Sequence, residues 1–95
     1  MHSAITHNSK QSRFETAVDD DFAILDYELY PGVMALVHTF VPHEHRHQGI
    51  AFRLVHFALE YAKANKLKVF PGCSSVVVYL KRHPEYDDLV YEEED

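Results

Sequence analysis

The sequence predicts a single α+β domain: an antiparallel sheet, then one long helix, then a short strand that returns parallel to the sheet. Three observations carry this. Apolar and polar residues alternate with period two between residues 13 and 30, and an apolar run over 33–41 follows, with turn residues at Asp19-Asp20-Asp21 and Pro31-Gly32. From Gly49 to Ala64 the period becomes helical. A short apolar run, Lys68-Val69-Phe70-Pro71, comes next, and a strand reached across a helix can lie parallel to its neighbour.

Each element has its own signal. Ile5-Thr6-His7 followed by Asn8-Ser9-Lys10 reads as a short edge strand and a turn. Arg13 to Val18 is a strand with Phe14, Thr16 and Val18 on one face. Phe22 to Tyr30 is half-buried, with Ala23, Leu25, Tyr27 and Leu29 sharing a face opposite Asp26 and Glu28. Val33 to Val41 is apolar on both faces and so is a central strand, which Pro42 ends by removing a ladder donor. In the helix, Arg53, His56, Glu60 and Lys63 form one polar stripe, while Ile50, Leu54, Phe57, Ala58 and Tyr61 cover the rest. Asn65 is expected at the left-handed C-terminal position, and Gly72 breaks the strand that follows.

Composition bounds the function. Ninety-five residues, 46% hydrophobic and 13% aromatic, suit one domain with its own core. A net charge of −6 argues against a nucleic-acid binder, and the acidic run Glu92 to Asp95 is expected to be a disordered tail over 91–95. One cysteine makes no internal disulfide, no apolar run reaches membrane-spanning length, and Met1-His2-Ser3-Ala4 starts no signal segment. The expectation is a cytoplasmic protein, monomeric or weakly dimeric, with no membrane or nucleic-acid partner.

The stretch with chemical content is Arg46-His47-Gln48-Gly49-Ile50-Ala51, an R-x-x-G-x-A loop between the central strand and the helix. Gly49 lets backbone approach a ligand, Ala51 is small, and the first helical amides have no partners of their own. With the helix dipole and Arg46 they make a site for a phosphate. His43, His45 and His47 alternate with Glu44 and Arg46; Arg46 repels cations and no H-x-x-x-H pair is present, so no metal site is expected.

This loop resembles motif A of the GNAT superfamily of acyl-CoA-dependent N-acetyltransferases, whose [Q/R]-x-x-G-x-[G/A] loop holds the CoA pyrophosphate. The likeness extends through His38-Thr39-Phe40-Val41-Pro42, Leu67-Lys68-Val69 with Pro71 and Cys73, Tyr79-Leu80 and His83-Pro84-Glu85-Tyr86, covering about residues 5 to 90. Together these are similar to the small GNAT-like proteins of roughly hundred residues. Phe40 stands where that group often has Glu, and His47 where it usually has Gly.

The resemblance implies a minimal GNAT-like fold with a short second helix, which Ser74 or Ser75 can cap and which runs through Leu80 to His83 before Pro84 stops it, although three β-branched residues, Val76-Val77-Val78, favour a strand on propensity alone. It implies acetyl-CoA or CoA as cofactor, held by Thr39, Phe40, Val41, Arg46, His47, Gln48, Gly49, Ile50, Ala51 and Ser74. It implies transfer of an acyl group to an unidentified amine. Cys73 is either a buried small hydrophobe or a group beside the thioester. His38 is either a core residue or a group facing the acyl end. Phe40 supplies no carboxylate, so a water, His38 or Cys73 would have to serve as base. The other reading is a CoA-binding or protein-interaction module without turnover.

Overall fold

A computed structural model describes residues 4–92. Five strands form one sheet in the order β1 (Ile5–Asn8), β2 (Arg13–Val18), β3 (Asp21–Tyr30), β4 (Val33–Phe40) and β5 (Lys68–Pro71). The first four pair antiparallel, and β5 pairs parallel to β4 after the crossover helix α1 (Ile50–Ala64). Helix α2 (Ser74–Arg82) and a 3-10 segment, Pro84–Leu89, complete the described chain.

Alternation places Phe14, Thr16 and Val18 of β2, Ala23, Leu25 and Tyr27 of β3, and Met34 and Leu36 of β4 in the interior. Leu54, Val55, Ala58, Leu59 and Ala62 of α1 join them in one core with Val69 and Val76. Truncating a fully buried Leu here to Ala would cost about 2–5 kcal/mol. Val76 explains why a β-branched run is helical: its burial in this core outweighs the weak strand preference of residues 76–78.

Three local expectations are corrected. Leu29 is 59% exposed, because β3 runs out into the Pro31-Gly32 hairpin at the end of the sheet. Asn65 has φ −100°, and Lys66 at φ 58° takes the left-handed position. Leu67 N–H then bonds Ala62 O at 2.8 Å and Lys66 N–H bonds Lys63 O at 3.3 Å, a Schellman closure one residue later than expected. Neither Ser74 nor Ser75 occupies the cap of α2; that position is Cys73.

Beyond the 3-10 segment, Val90 bridges Val69 in parallel and Tyr91 N–H donates to Val69 O at 2.8 Å, so the chain is tied to the edge of β5 through Tyr91. The rest of the expected tail, 93–95, lies outside the described residues.

Candidate active site

Pro42 ends β4, and a 3-10 turn, His43–His45, leads into the loop before α1. His47 at φ 69° and Gly49 at φ 76° are both left-handed. Glycine adopts that conformation freely, whereas an L side chain bears about 1–2 kcal/mol of steric cost. The loop is held from outside. His45 Nε2 lies 2.8 Å from Asp19 Oδ2, its Nδ1 lies 3.4 Å from Gln48 Oε1, and Arg46 Nε donates to Val41 O at 3.2 Å.

Gly49 caps α1, and the first intrahelical bond runs from Arg53 N–H to Gly49 O at 3.0 Å. The amides of Ile50, Ala51 and Phe52 precede it and have no intrahelical acceptor, so they carry the positive end of the dipole. A Cβ added to Gly49 meets no atom within 4 Å, which means the space above the turn is open. It belongs to a cleft of about 560 Å³ bounded by Thr39 to Val41 of β4, the loop, the first turn of α1, and Ser75 and Arg82 of α2. Among the described residues no carboxylate lines this cleft, although the chain carries a net charge of −6. Backbone amides, Arg46 and histidines form the donor set a pyrophosphate needs.

At the inner end the sheet opens. Pairing between β4 and β5 stops at Leu36 with Pro71, while pairing between β3 and β4 continues to Phe40. Gly72 N–H closes on Leu36 O at 2.9 Å, and a Cβ at Gly72 would stand 3.0 Å from that oxygen, so the chain can turn away here only without a side chain. On the other side Asp26 pairs with His38 and Tyr27 with Leu36, which leaves Val37 as a bulge. The bulge resets the alternation of β4: Thr39 pairs with Leu25 and so shares its core-facing side. Thr39 Oγ1 lies 3.3 Å from Cys73 Sγ and donates to Ser75 Oγ at 3.3 Å.

The half-buried thiol of Cys73 is pushed up by burial, but the Thr39 hydroxyl and the backbone amides of Ser75, Val76 and Thr39 outweigh this and bring it below the usual thiol range. Helix α2 is fixed by a polar network behind the cleft. His56 Nδ1 lies 3.1 Å from Tyr79 Oη and 3.2 Å from Tyr86 Oη, and Tyr86 donates to Glu60 Oε2 at 2.6 Å. Burial and then Glu60 hold the Tyr86 hydroxyl far above the usual phenol range, so it stays a donor.

A sequence profile of the GCN5-related N-acetyl-transferase family matches residues 13–89. The chain belongs to the GCN5-related N-acetyltransferase family. Protein NATD1 of Gallus gallus is 33% identical over 84 residues, spanning 84% of this chain and 76% of that protein. NATD1 of Homo sapiens is 32% identical over 84 residues, spanning 84% and 74%. A GCN5-like protein from Staphylococcus aureus, solved by NMR, matches with a TM-score of 0.75 over 98% of this chain and 92% of its own at 24% identity, which shows the shared fold.

Within this GCN5-related N-acetyltransferase domain the structure brings together most of the residues expected from sequence. Thr39, Phe40, Val41, Arg46, His47, Gly49, Ile50 and Ala51 all bound the cleft, and Cys73 reaches its inner end through Thr39. Gln48 is exposed and contacts His45 rather than the cleft, and Ser74 is exposed beside Ser75, which does line it. His38 is exposed, paired with Asp26 on the opposite side of β4 from Thr39, because the bulge falls just before it. Sequence reasoning missed His45, Phe52, Ser75 and Arg82. Phe52 and His45 flank the motif and were within reach; Arg82 has no local signal, since only the packing of α2 on α1 carries it to the cleft.

Proposed function

We propose that this domain binds acetyl-CoA in the cleft and transfers its acetyl group to an amine. The observation that supports the reading best is a cleft at the start of α1 that no carboxylate lines among the described residues, in an acidic chain of this family. Acetyl-CoA supplies an activated acyl thioester. The amides of Ile50, Ala51 and Phe52, with Arg46, hold the pyrophosphate. The edge of β4 left open beyond Leu36 receives the pantetheine arm, as the family resemblance implies. Thr39, Cys73 and Ser75 bound the acyl end, where backbone N–H groups are the donors for developing negative charge on the carbonyl oxygen.

A second reading, a CoA-binding module without turnover, is supported by one observation: among the described residues no Asp or Glu lines the cleft, where Phe40 stands at the β4 position that often carries Glu in the family it resembles. The two readings separate in two measurements. Calorimetry with CoA and acetyl-CoA tests the shared claim, and absence of binding overturns both. Thiol release from acetyl-CoA with a panel of amines and peptides then divides them: amine-dependent release establishes transfer, and binding without release leaves the module.

A further inference from the structure

Arg82 is the one arginine of the cleft that the family motif does not account for. It stands in the last turn of α2, with its guanidinium 5.5 Å from the ring centroid of Phe52, the third residue of α1. Arg13 is paired with Asp26, and Arg46 spends its Nε on Val41 O. Among the described residues the guanidinium of Arg82 has no hydrogen-bond or ion-pair partner, in a chain with 15 acidic and 9 basic side chains. The aromatic ring holds the guanidinium by a cation–π contact and leaves its N–H groups for a ligand. Ser75, at the other end of α2, sits at the acyl end with Thr39 and Cys73; seven residues of helix separate it from Arg82 by about 10 Å. Arg82 therefore lies away from the acyl end, beside the first turn of α1, where its guanidinium rests on Phe52.

We infer that Arg82, held on Phe52, binds the 3′-phosphate of CoA and makes the cleft select CoA over dephospho-CoA. This rests on the reading that the cleft takes CoA. The chemistry is a division of labour between two cations: Arg46 and the α1 amides meet a group common to both ligands, and Arg82 meets the one phosphate that distinguishes them. A planar, always-charged guanidinium suits a phosphate monoester better than an ammonium does.

The test is calorimetry of the folded wild type, R82A, R82Q and R46A with CoA and with dephospho-CoA. The wild type should bind CoA about tenfold more tightly, and both Arg82 variants should bind the two ligands about equally while keeping the wild-type affinity for dephospho-CoA. R46A should weaken both ligands by the same factor and keep their ratio. R82Q guards against loss of packing on Phe52 in R82A. A wild type that binds CoA without discrimination, or Arg82 variants that keep the ratio or lose both ligands alike, overturns the assignment and leaves the cofactor reading standing. A wild type that binds neither ligand overturns both.

Discussion

Thr39 Oγ1 and Cys73 Sγ meet at 3.3 Å where β4 and β5 have stopped pairing, so a hydroxyl and a thiol from two separated strand ends share the inner end of the cleft. The thiol is held below its usual range by this contact and by neighbouring amides, against the effect of burial. The alkylation rate of Cys73 should therefore rise with pH at a lower midpoint in the folded protein than in the unfolded chain, and Thr39→Val should move that midpoint upward. Being an acid with a depressed folded pKa, it adds stability above its unfolded value that is lost as pH falls through the folded one. Intact mass after acetyl-CoA alone decides its chemistry. Direct transfer predicts no rapid adduct of about 42 Da, the mass of an acetyl group replacing hydrogen; one that forms on Cys73 and is discharged by an amine establishes the covalent route.

Gly49 and His47 test the loop backbone. Gly49→Ala places an L residue at φ 76° and a methyl in the open cleft, so it should cost about 1–2 kcal/mol of stability and weaken CoA about tenfold. His47→Gly relieves the same strain at φ 69° against a greater loss of chain entropy, and should leave stability within about 1 kcal/mol of wild type. Chemical denaturation measures both; a Gly49→Ala protein with unchanged stability and CoA affinity would remove the phosphate-loop argument.

Phe40 is 40% exposed, so Phe40→Glu should fold with a loss of about 1 kcal/mol or less. If the cleft transfers acetyl groups, the new carboxylate should raise amine-dependent thiol release and add an acidic limb to the rate profile near roughly pH 4–5. A folded variant whose rate and pH profile match wild type would show that Phe40 does not face the reacting amine.

His7 stacks on Phe14 with centroids 4.6 Å apart, and its Nε2 lies 2.6 Å from Tyr27 Oη. Burial lowers its pKa from the ordinary 6.5, because the charged ring loses water there. The folded value lies below the unfolded one, so stability should be full above pH 6.5 and fall as pH drops through the folded value. His7→Gln should flatten that part of the stability curve measured by denaturant between pH 7 and 5; an unchanged slope would contradict the assignment.

What the sequence determined by itself is local. The alternation of Phe14, Thr16 and Val18, the helical period from Ile50 to Ala62, and Gly49 between a strand and a helix depend on side-chain periodicity and backbone freedom, which neighbouring residues carry. Those features place the loop before α1 and most of the cleft wall. Tertiary structure decided the rest. The bulge at Val37 exists only in the register of β4 against β3, yet it turns Thr39 toward Cys73 and leaves His38 on the other side. The Val76 run becomes helix through burial, and Lys66 rather than Asn65 reverses the chain because the closing bonds form one residue later. Arg82 reaches the cleft through the docking of α2 on α1, thirty residues after Phe52, on which its guanidinium rests. Periodicity records which side of its own element a residue faces; where two elements meet is decided by pairing and packing between distant segments.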